Sequence, residues 1–298
     1  MAIANCDRVL LEQSTRIEIE VPLGLIRAVA DLENGRNSVI ANENCIERPQ
    51  ADRIERVRDL FDHRENYLDR RQLDIRLRTE TVSRVVEGKS YNDILDIGCG
   101  DGSISTPLLT SRCHLTLLDI STQMLSLARS RVPFDLSSHV KVVNQNFMEA
   151  QFEEGTFDLV ICLGVLAHVA SPSEVVAKIV SILKPGGKLV LECTDAFHLM
   201  GRINRLSNAV AWHFRPPKYK PNLLSAKAIL RMAEKEGLKL TSSFRYSLPL
   251  PGVGRFFSAT GIYRTTRFMF GDVMRNRNRW LGNQFIYCFV RPSSEGGN

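Results

Sequence analysis

The chain has 298 residues, of which 44% are hydrophobic and 24% charged, and its formal net charge is +6. That length and apolar fraction exclude a disordered or fibrous chain and predict one large domain with additions. Seven cysteines, an odd number without metal-like pairing, favour a reduced intracellular protein over a disulfide framework. Because no basic-then-apolar leader opens the sequence and no apolar run reaches the ~18 residues of a membrane span, we expect a soluble, cytoplasmic protein.

The positive charge is concentrated in the last third of the sequence. Residues 1–198 carry 22 basic and 29 acidic side chains, a net of −7. Residues 199–298 carry 17 basic and 4 acidic side chains, a net of +13. This basic third is either a solvated positive face or a surface that attracts an anionic substrate, a nucleic acid or a membrane.

The first 88 residues fall into two parts. Residues 1–50 contain breakers such as Asn34-Gly35 and predict a poorly defined extension. Residues 51–88 have apolar side chains at helical spacing, among them Ile54, Val57 and Phe61, and predict N-terminal helices.

Residues 90–195 alternate between strand and helix patterns. This alternation predicts an α/β domain with a mostly parallel sheet. The predicted strands are 93–97, 115–119, 140–144, 157–162 and 187–193, and the predicted helices are 103–111, 121–131 and 173–183.

A glycine-rich turn follows the first predicted strand, where the sequence reads Asp96-Ile97-Gly98-Cys99-Gly100-Asp101-Gly102. A side chain at the glycines would keep the backbone away from a bound ligand. We expect Ser103 to cap the helix that follows, whose free N–H groups attract a carboxylate or phosphate. The second strand ends in Asp119, 21 residues after Gly98, where a carboxylate can hold both hydroxyls of a ribose. The pattern therefore predicts a nucleotide-cofactor site.

Two further segments, Phe157–Cys162 and Leu183–Val190, complete a pattern that resembles class I S-adenosylmethionine-dependent methyltransferases. It is most similar to the small-molecule group that includes the ubiquinone-biosynthesis O-methyltransferases. The resemblance covers residues 90–195 strongly and 222–247 weakly. It implies a Rossmann-like seven-stranded, mostly parallel sheet with helices on both faces. It also implies N-terminal helices over the cofactor and C-terminal insertions that form a lid.

The resemblance also implies which residues bind S-adenosylmethionine. Ile120 and Met124 would flank the adenine, although plain core residues would look the same. Asn146 stands where the family usually has an Asp that accepts the adenine amino group, and an amide oxygen can accept the same bond. The remaining implied cofactor-site residues are Asp96, Gly98, Cys99, Gly100, Asp119, Phe147, Leu163, Tyr67 and Arg71, with Arg78 as a further residue of the N-terminal helices.

Three histidines are candidates for a general base, should the acceptor be a neutral hydroxyl. His168 follows the fourth strand and matches a position that is often His in the resembled group; a structural role is the alternative. His198 and His213 lie in the region beyond the fifth strand. No metal site is predicted.

The C-terminal region carries two insertions, 196–221 and 249–283. The first contains a predicted amphipathic helix, 198–212, and a Pro-rich stretch from Trp212 to Pro221 that we expect to be irregular. Between the insertions we expect a helix over 223–237 and a strand over 240–246, and the closing strand is 284–290. Arginines and aromatic side chains alternate in the second insertion, which predicts a lid for a substrate with an apolar body and a negative group.

The sequence thus predicts methyl transfer to a small molecule, with O-methylation favoured over N- or C-methylation. There are two alternatives: an RNA-modifying methyltransferase that uses the basic third, and a non-catalytic cofactor-binding protein. The basic third could also contact a membrane surface. The Cys-Leu-Gly-Val that follows the fourth strand argues against methylation of base amino groups, and the Leu-Lys-Pro-Gly-Gly turn argues against an NAD-dependent oxidoreductase. The oligomeric state is not predicted.

Overall fold

A seven-stranded sheet forms the centre of the computed structural model, which describes residues 50–62, 67–214, 221–247 and 258–293. The predicted extension, apart from Gln50, lies outside these residues. The strands are β1 Asp93–Ile97, β2 His114–Asp119, β3 Val140–Asn144, β4 Phe157–Cys162, β5 Leu183–Thr194, β6 Lys239–Tyr246 and β7 Gln284–Val290. The helices are α1 Gln50–Asp62, α2 Tyr67–Val86, α3 Thr122–Arg131, α4 Pro172–Ile182, α5 Leu199–Phe214, α6 Ala226–Lys235 and α7 Ala259–Phe270.

The strands lie in the order β3-β2-β1-β4-β5-β7-β6. The first five strands are parallel, and β7 is antiparallel to both of its neighbours, β5 and β6. The register places Ile97 beside Leu118 on one side and beside Cys162 on the other. The carboxyl ends of β1, β2 and β4 therefore meet at one edge of the sheet, which confirms the predicted fold class.

Helices cover both faces of the sheet. One face packs Ile94, Leu117 and Ile161 against α2, α3 and α7. The other packs Leu95, Val160 and Leu189 against α4 and α6. Alternate residues of each strand thus enter opposite halves of the core, as the two-residue period of a strand requires.

The chain between β1 and β2 differs from its prediction. A helix over 103–111 is wrong, since this segment contains only a 3₁₀ turn, Thr106–Leu108. Ser103 does not cap it, because its hydroxyl donates to Asp101 Oδ1 at 2.7 Å. Pro107 lacks the N–H that an α-helix interior needs, and the chain is extended again at Leu109.

The helix after β2 agrees with its prediction to within one residue. Ser121 is its N-cap, and its side chain accepts a hydrogen bond from Met124 N at 3.1 Å. The bounds of α4, α6 and the closing strand also lie within three residues of those predicted. Within the described ranges, none of the helices combines the length and apolar character required to span a bilayer.

Both insertions begin at the same edge of the sheet. Thr194, Gln284 and Tyr246 pair across β5, β7 and β6, so the chain leaves the sheet for each insertion at the edge where β4 ends, three residues beyond the pair of Cys162 with Leu191. In the first insertion, α5 continues through Phe214, so the prediction of irregular structure from Trp212 is wrong for its first three residues. The second insertion forms α7, which the sequence did not predict.

Candidate active site

The glycine turn after β1 is built around three left-handed backbone conformations. Gly98, Gly100 and Gly102 have φ angles of 66°, 55° and 72°. A Cβ at Gly98 would lie 2.5 Å from Val165 Cγ2, so any larger residue there would displace that side chain. At Gly100 the position of a Cβ has no heavy atom of the described structure within 4 Å, chain neighbours apart. The backbone of Gly100 is therefore open to a ligand.

Asp119 lies beside this open backbone and is held in place by it. Its two carboxylate oxygens accept hydrogen bonds from Gly100 N and Ser121 N, both at 2.9 Å. Burial raises the pKa of Asp119, although these backbone hydrogen bonds act in the opposite direction. A carboxylate has about four acceptor sites, so acceptor capacity remains for the hydroxyls of a ribose.

Asp96 is a second buried carboxylate, at the end of β1. It is 3% exposed, and its Oδ2 has no hydrogen-bond partner among the described residues. Burial raises its pKa to about 7, and the nearby charges of Asp119 and Asp101 act in the same direction. A cationic group bound at the turn would compensate this carboxylate. The acceptors of Asp96 and Asp119 therefore fit a ligand that carries both an ammonium group and a ribose.

We call the region outside the carboxyl ends of β1, β2 and β4 the crevice. Cys99 follows β1 and Leu163 follows β4, so both lie at this crevice. Both side chains are buried, at 6% and 8% exposure, so they offer a ligand their backbone rather than their side chains. Burial raises the pKa of the Cys99 thiol far above its usual range, which keeps the thiol neutral.

The residues predicted to surround an adenine lie at the carboxyl ends of β2 and β3. Ile120 is half-buried, and Met124 is buried in α3. Asn146 Oδ1 accepts a hydrogen bond from Met148 N at 3.1 Å, which leaves one lone pair for a ligand. Phe147 is only 4% exposed and stacks on Phe152, so much of its ring surface is used within the core. The adenine contacts of these four residues stay predictions.

Lys178 fixes the loop that carries Asn146, a role that the sequence did not indicate. Its Nζ donates to the carbonyl oxygens of Phe147, Met148 and Ala150 at 2.7, 3.0 and 2.7 Å. These three bonds use every donor of the ammonium group. A single lysine on an otherwise apolar helix face is the only sequence signal for this residue.

The first N-terminal helix, α1, connects the two sides of the crevice. On one side Arg58 Nε donates to Ile120 O at 3.2 Å, and Ser121 Oγ donates to Asp62. On the other side Arg53 donates to His168 O at 3.1 Å and to Asn222 Oδ1 at 2.7 Å. Helix α1 thus lies across the carboxyl edge of the sheet. The side chains of Tyr67 and Arg71 lie outside the described ones, so their predicted contacts stay predictions.

The three candidate bases occupy different environments. His168 lies at the crevice, where its ring packs edge-on against Phe61 with centroids 5.8 Å apart. His198 Nδ1 accepts from Met200 N at 3.4 Å, and its Nε2 lies 2.7 Å from Trp280 O. Both ring nitrogens of His198 have hydrogen-bond partners. The geometry of His198 therefore fits a structural link between the two insertions better than a general base. The side chain of His213 lies outside the described ones.

A buried polar cluster adjoins the crevice on the α2 face of the sheet. Arg78 donates to Glu192 Oε1 at 3.0 Å, lies 2.6 Å from Glu192 Oε2, and is 3.3 Å from Asp74 Oδ2. Tyr246 OH donates to Asp74 Oδ1 at 2.8 Å. A Cβ at Gly164 would lie 3.6 Å from Arg78 Nη2, so this cluster borders the loop that follows β4. The charged Glu192 within the apolar run of β5 was the signal for it. No group of three potential metal ligands is found among the described residues.

Comparison with known proteins finds similarity to ubiquinone biosynthesis O-methyltransferases. Over 118 residues the chain is 34% identical to a ubiquinone biosynthesis O-methyltransferase of Xanthomonas axonopodis pv. citri, covering 39% of this chain and 48% of that one. Over 142 residues it is 32% identical to the protein of the same name from Pectobacterium carotovorum, covering 46% and 52%. The chain thus spans about half the length of the curated relatives it matches.

Solved structures share the fold at lower sequence identity. The magnesium protoporphyrin IX methyltransferase of Synechocystis, solved with bound S-adenosylhomocysteine, matches 80% of this chain and all of its own with a TM-score of 0.54 and 19% identity. The N-methyltransferase NodS of Bradyrhizobium japonicum, in complex with S-adenosylhomocysteine, matches 81% and 100% with a TM-score of 0.53 and 15% identity.

Residues 51–243, from α1 into β6, match the sequence model of a protein family that is described as the methyltransferase domain. This match includes the glycine turn, Asp119, the loop after β4 and, of the buried cluster, Asp74, Arg78 and Glu192. The chain therefore belongs to the methyltransferase domain family, and its cofactor is S-adenosylmethionine.

Proposed function

We propose that the protein transfers the methyl group of S-adenosylmethionine to a small molecule in a biosynthetic reaction, with an oxygen as the favoured acceptor. The observation that carries the proposal is the pairing of Asp119 with the open backbone of Gly100, 2.9 Å apart. The curated relatives, which are ubiquinone biosynthesis O-methyltransferases, support a hydroxyl acceptor and an apolar substrate body.

The residues of the site have separate tasks in such a reaction. The bound cofactor supplies a methyl group that is already activated, so the protein chiefly has to align donor and acceptor. Asp119 fixes the ribose, and Asp96 balances the charge of the ammonium group. Helix α1 excludes water from the crevice, and His168 receives the proton of a hydroxyl acceptor. The second insertion covers the substrate side, where an anionic group on the acceptor would meet arginine.

Calorimetry and thermal unfolding test the cofactor part of the proposal. Saturating S-adenosylmethionine should raise the melting temperature, since a ligand at a hundred times its Kd stabilises a protein by about 2.7 kcal/mol, whereas NAD should not. Asp119→Ala should raise the Kd at least tenfold, because a hydrogen bond to a charged group contributes about 1.5–3 kcal/mol. Asp135→Ala, an exposed carboxylate after α3, is the control. An unchanged Kd in Asp119→Ala would contradict the ribose role.

Methyl transfer itself is tested with labelled cofactor and a set of alkyl-substituted catechols, phenols and primary amines. We expect label on a hydroxyl oxygen of an alkyl-substituted acceptor. Label on the amines alone would refute O-methylation, and label on RNA alone would favour the RNA-modifying alternative. Cofactor binding without any transfer would indicate a non-catalytic protein.

A further inference from the structure

The described part of the second insertion exposes arginines and large apolar side chains together. Residues 258–282 contain five arginines and one carboxylate, Asp272. Phe268 is 78% exposed and Met274 is 82% exposed. We call the exposed side chains of Arg264, Phe268, Met274, Arg275 and Arg277 the insertion surface.

The two faces of α7 show why this surface points to solvent. Thr266 and Phe270 are buried, and Phe270 belongs to the core that covers the sheet. Arg264 and Phe268 are one helical turn apart on the opposite side of α7, and both are exposed. Hydrophobic packing therefore uses one face of the helix and leaves a phenylalanine and an arginine on the other.

A tight turn that follows α7 carries Met274. Asp272 Oδ1 accepts from Met274 N at 3.0 Å and from Arg275 N at 2.9 Å. Gly271 has a φ of 70°, and a Cβ there would lie 2.1 Å from Arg275 O, so only glycine fits. The turn is therefore built to a defined shape, with Met274 at its tip.

The side chains of the turn and of α7 enclose a shallow depression of about 370 Å³. It is lined by Arg267, Phe268, Gly271, Asp272, Arg275 and Arg277. Arg267 is neutralised locally, since it lies 3.6 Å from Asp272. Neither Arg275 nor Arg277 has an ion pair among the described residues, so the exposed part of this surface is positive.

Helix α7 is also fixed to the body of the protein, which makes the surface a rigid one. Tyr263 OH donates to the Glu80 carboxylate, whose oxygens lie 2.7 and 2.8 Å away, and Arg76 stacks over the Tyr263 ring. The Asn276 side chain bonds both the N–H and the carbonyl of Arg245 at 2.9 Å. Helix α7 and the turn after it are therefore attached to α2 and β6.

We propose that the insertion surface docks on an anionic lipid bilayer. Exposed Phe and Met side chains enter the interfacial region, and the surrounding arginines meet acidic headgroups. The positive charge of residues 199–298 complements such a membrane. Phe268 lines the same depression as Arg275 and Arg277, so an apolar side chain and positive charges lie together. The inference goes beyond the proposed methyl transfer and does not depend on it.

Cosedimentation of the full chain with vesicles tests this inference. We expect binding to phosphatidylcholine vesicles that contain phosphatidylglycerol, little binding to phosphatidylcholine alone, and a loss of about tenfold when salt is raised beyond the physiological range. The variant Phe268→Ser with Met274→Ser should lose at least tenfold in affinity. Phe134→Ser is the matched control, since Phe134 is 95% exposed but lies between α3 and β3.

Each other outcome overturns the inference. Absence of binding to both vesicle types would do so, as would equal binding to both, or an equal loss in Phe134→Ser. Binding of a single-stranded RNA in place of vesicles would assign the surface to nucleic acid. Should the double Ser variant fail to fold by circular dichroism, Arg275→Gln with Arg277→Gln decides, because unchanged vesicle binding in that variant excludes the surface.

Discussion

At the scale of single residues, a glycine can be needed for its backbone conformation or for the space that a ligand occupies. Substitution of Gly100 distinguishes these two reasons. Gly155 has nearly the same conformation, φ 62° against 55°, and also has open space at its Cβ position. Gly100→Ala and Gly155→Ala should therefore lower the free energy of unfolding similarly, by about 1–2 kcal/mol for a left-handed alanine. Only Gly100→Ala should weaken S-adenosylmethionine binding, by a hundredfold or more in calorimetry. Equal cofactor affinities in the two variants would show that the cofactor does not occupy the open space at Gly100.

Asp96 should give the cofactor-free protein an unusual dependence on pH. Its pKa is raised from 3.8 to about 7, so the folded state keeps a proton that the unfolded state loses. The free energy of unfolding therefore falls as pH rises from about 4 to about 7, by about 1.4 kcal/mol per unit at most. Asp96→Asn should remove this contribution, so the variant gains stability relative to wild type across that range. The free energy of unfolding of both proteins is measured with denaturant at several pH values. The same pH dependence in wild type and Asp96→Asn would contradict the raised pKa of Asp96.

At the scale of elements, α7 offers an internal comparison. Phe270 is 3% exposed within the core, whereas Phe268 on the same helix is 78% exposed. Phe270→Ala should lower the free energy of unfolding by about 3–5 kcal/mol, and Phe268→Ala should change it by no more than about 0.5 kcal/mol. Denaturant unfolding of the two variants measures both. A large loss in Phe268→Ala would mean that this side chain packs in solution.

This comparison also changes what a deletion of the second insertion can show. The lid hypothesis treats 249–283 as separable from the sheet, yet Phe270 belongs to the core and Tyr263 bonds Glu80 of α2. Removing the whole insertion would therefore destabilise the domain. Substitutions of exposed residues are the better test of a lid, and the lid itself stays a prediction.

The regular elements were predictable because their signals are local. The bounds of β1, β3, β4 and β7 agree with the prediction to the residue, since each is a short apolar run between turn residues. The structure of the segment after Gly102 was not predictable in this way, because the Ser103 hydroxyl donates to Asp101 and does not cap a helix. Contacts between distant residues, such as Lys178 with the Asn146 loop or Arg78 with Glu192, leave little trace in the sequence and depend on the order of the strands.

At the scale of the whole molecule, cofactor binding should alter α1 more than the far side of the sheet. Helix α1 is tied to both sides of the crevice through Arg53, Arg58 and Ser121. Saturation with S-adenosylhomocysteine should therefore slow amide hydrogen exchange in α1 by tenfold or more, because opening of the helix would then expose the ligand. Exchange in α6, which packs on the opposite face, is the internal control. Equal protection of both helices would indicate a global effect and not closure over the site.

The position of β7 has a consequence for how the protein is made. This strand lies between β5 and β6, yet the ribosome produces it after both. Until residues 284–290 have left the exit tunnel, β6 has no partner in the sheet and β5 has an open edge. A nascent chain can therefore assemble β1 to β5 early, while β6 and the insertion that follows it must wait for the last strand. Ribosome-stalled chains that end at residue 280 and carry a C-terminal linker long enough to fill the exit tunnel should accordingly protect β1 to β5 from protease and leave β6 accessible.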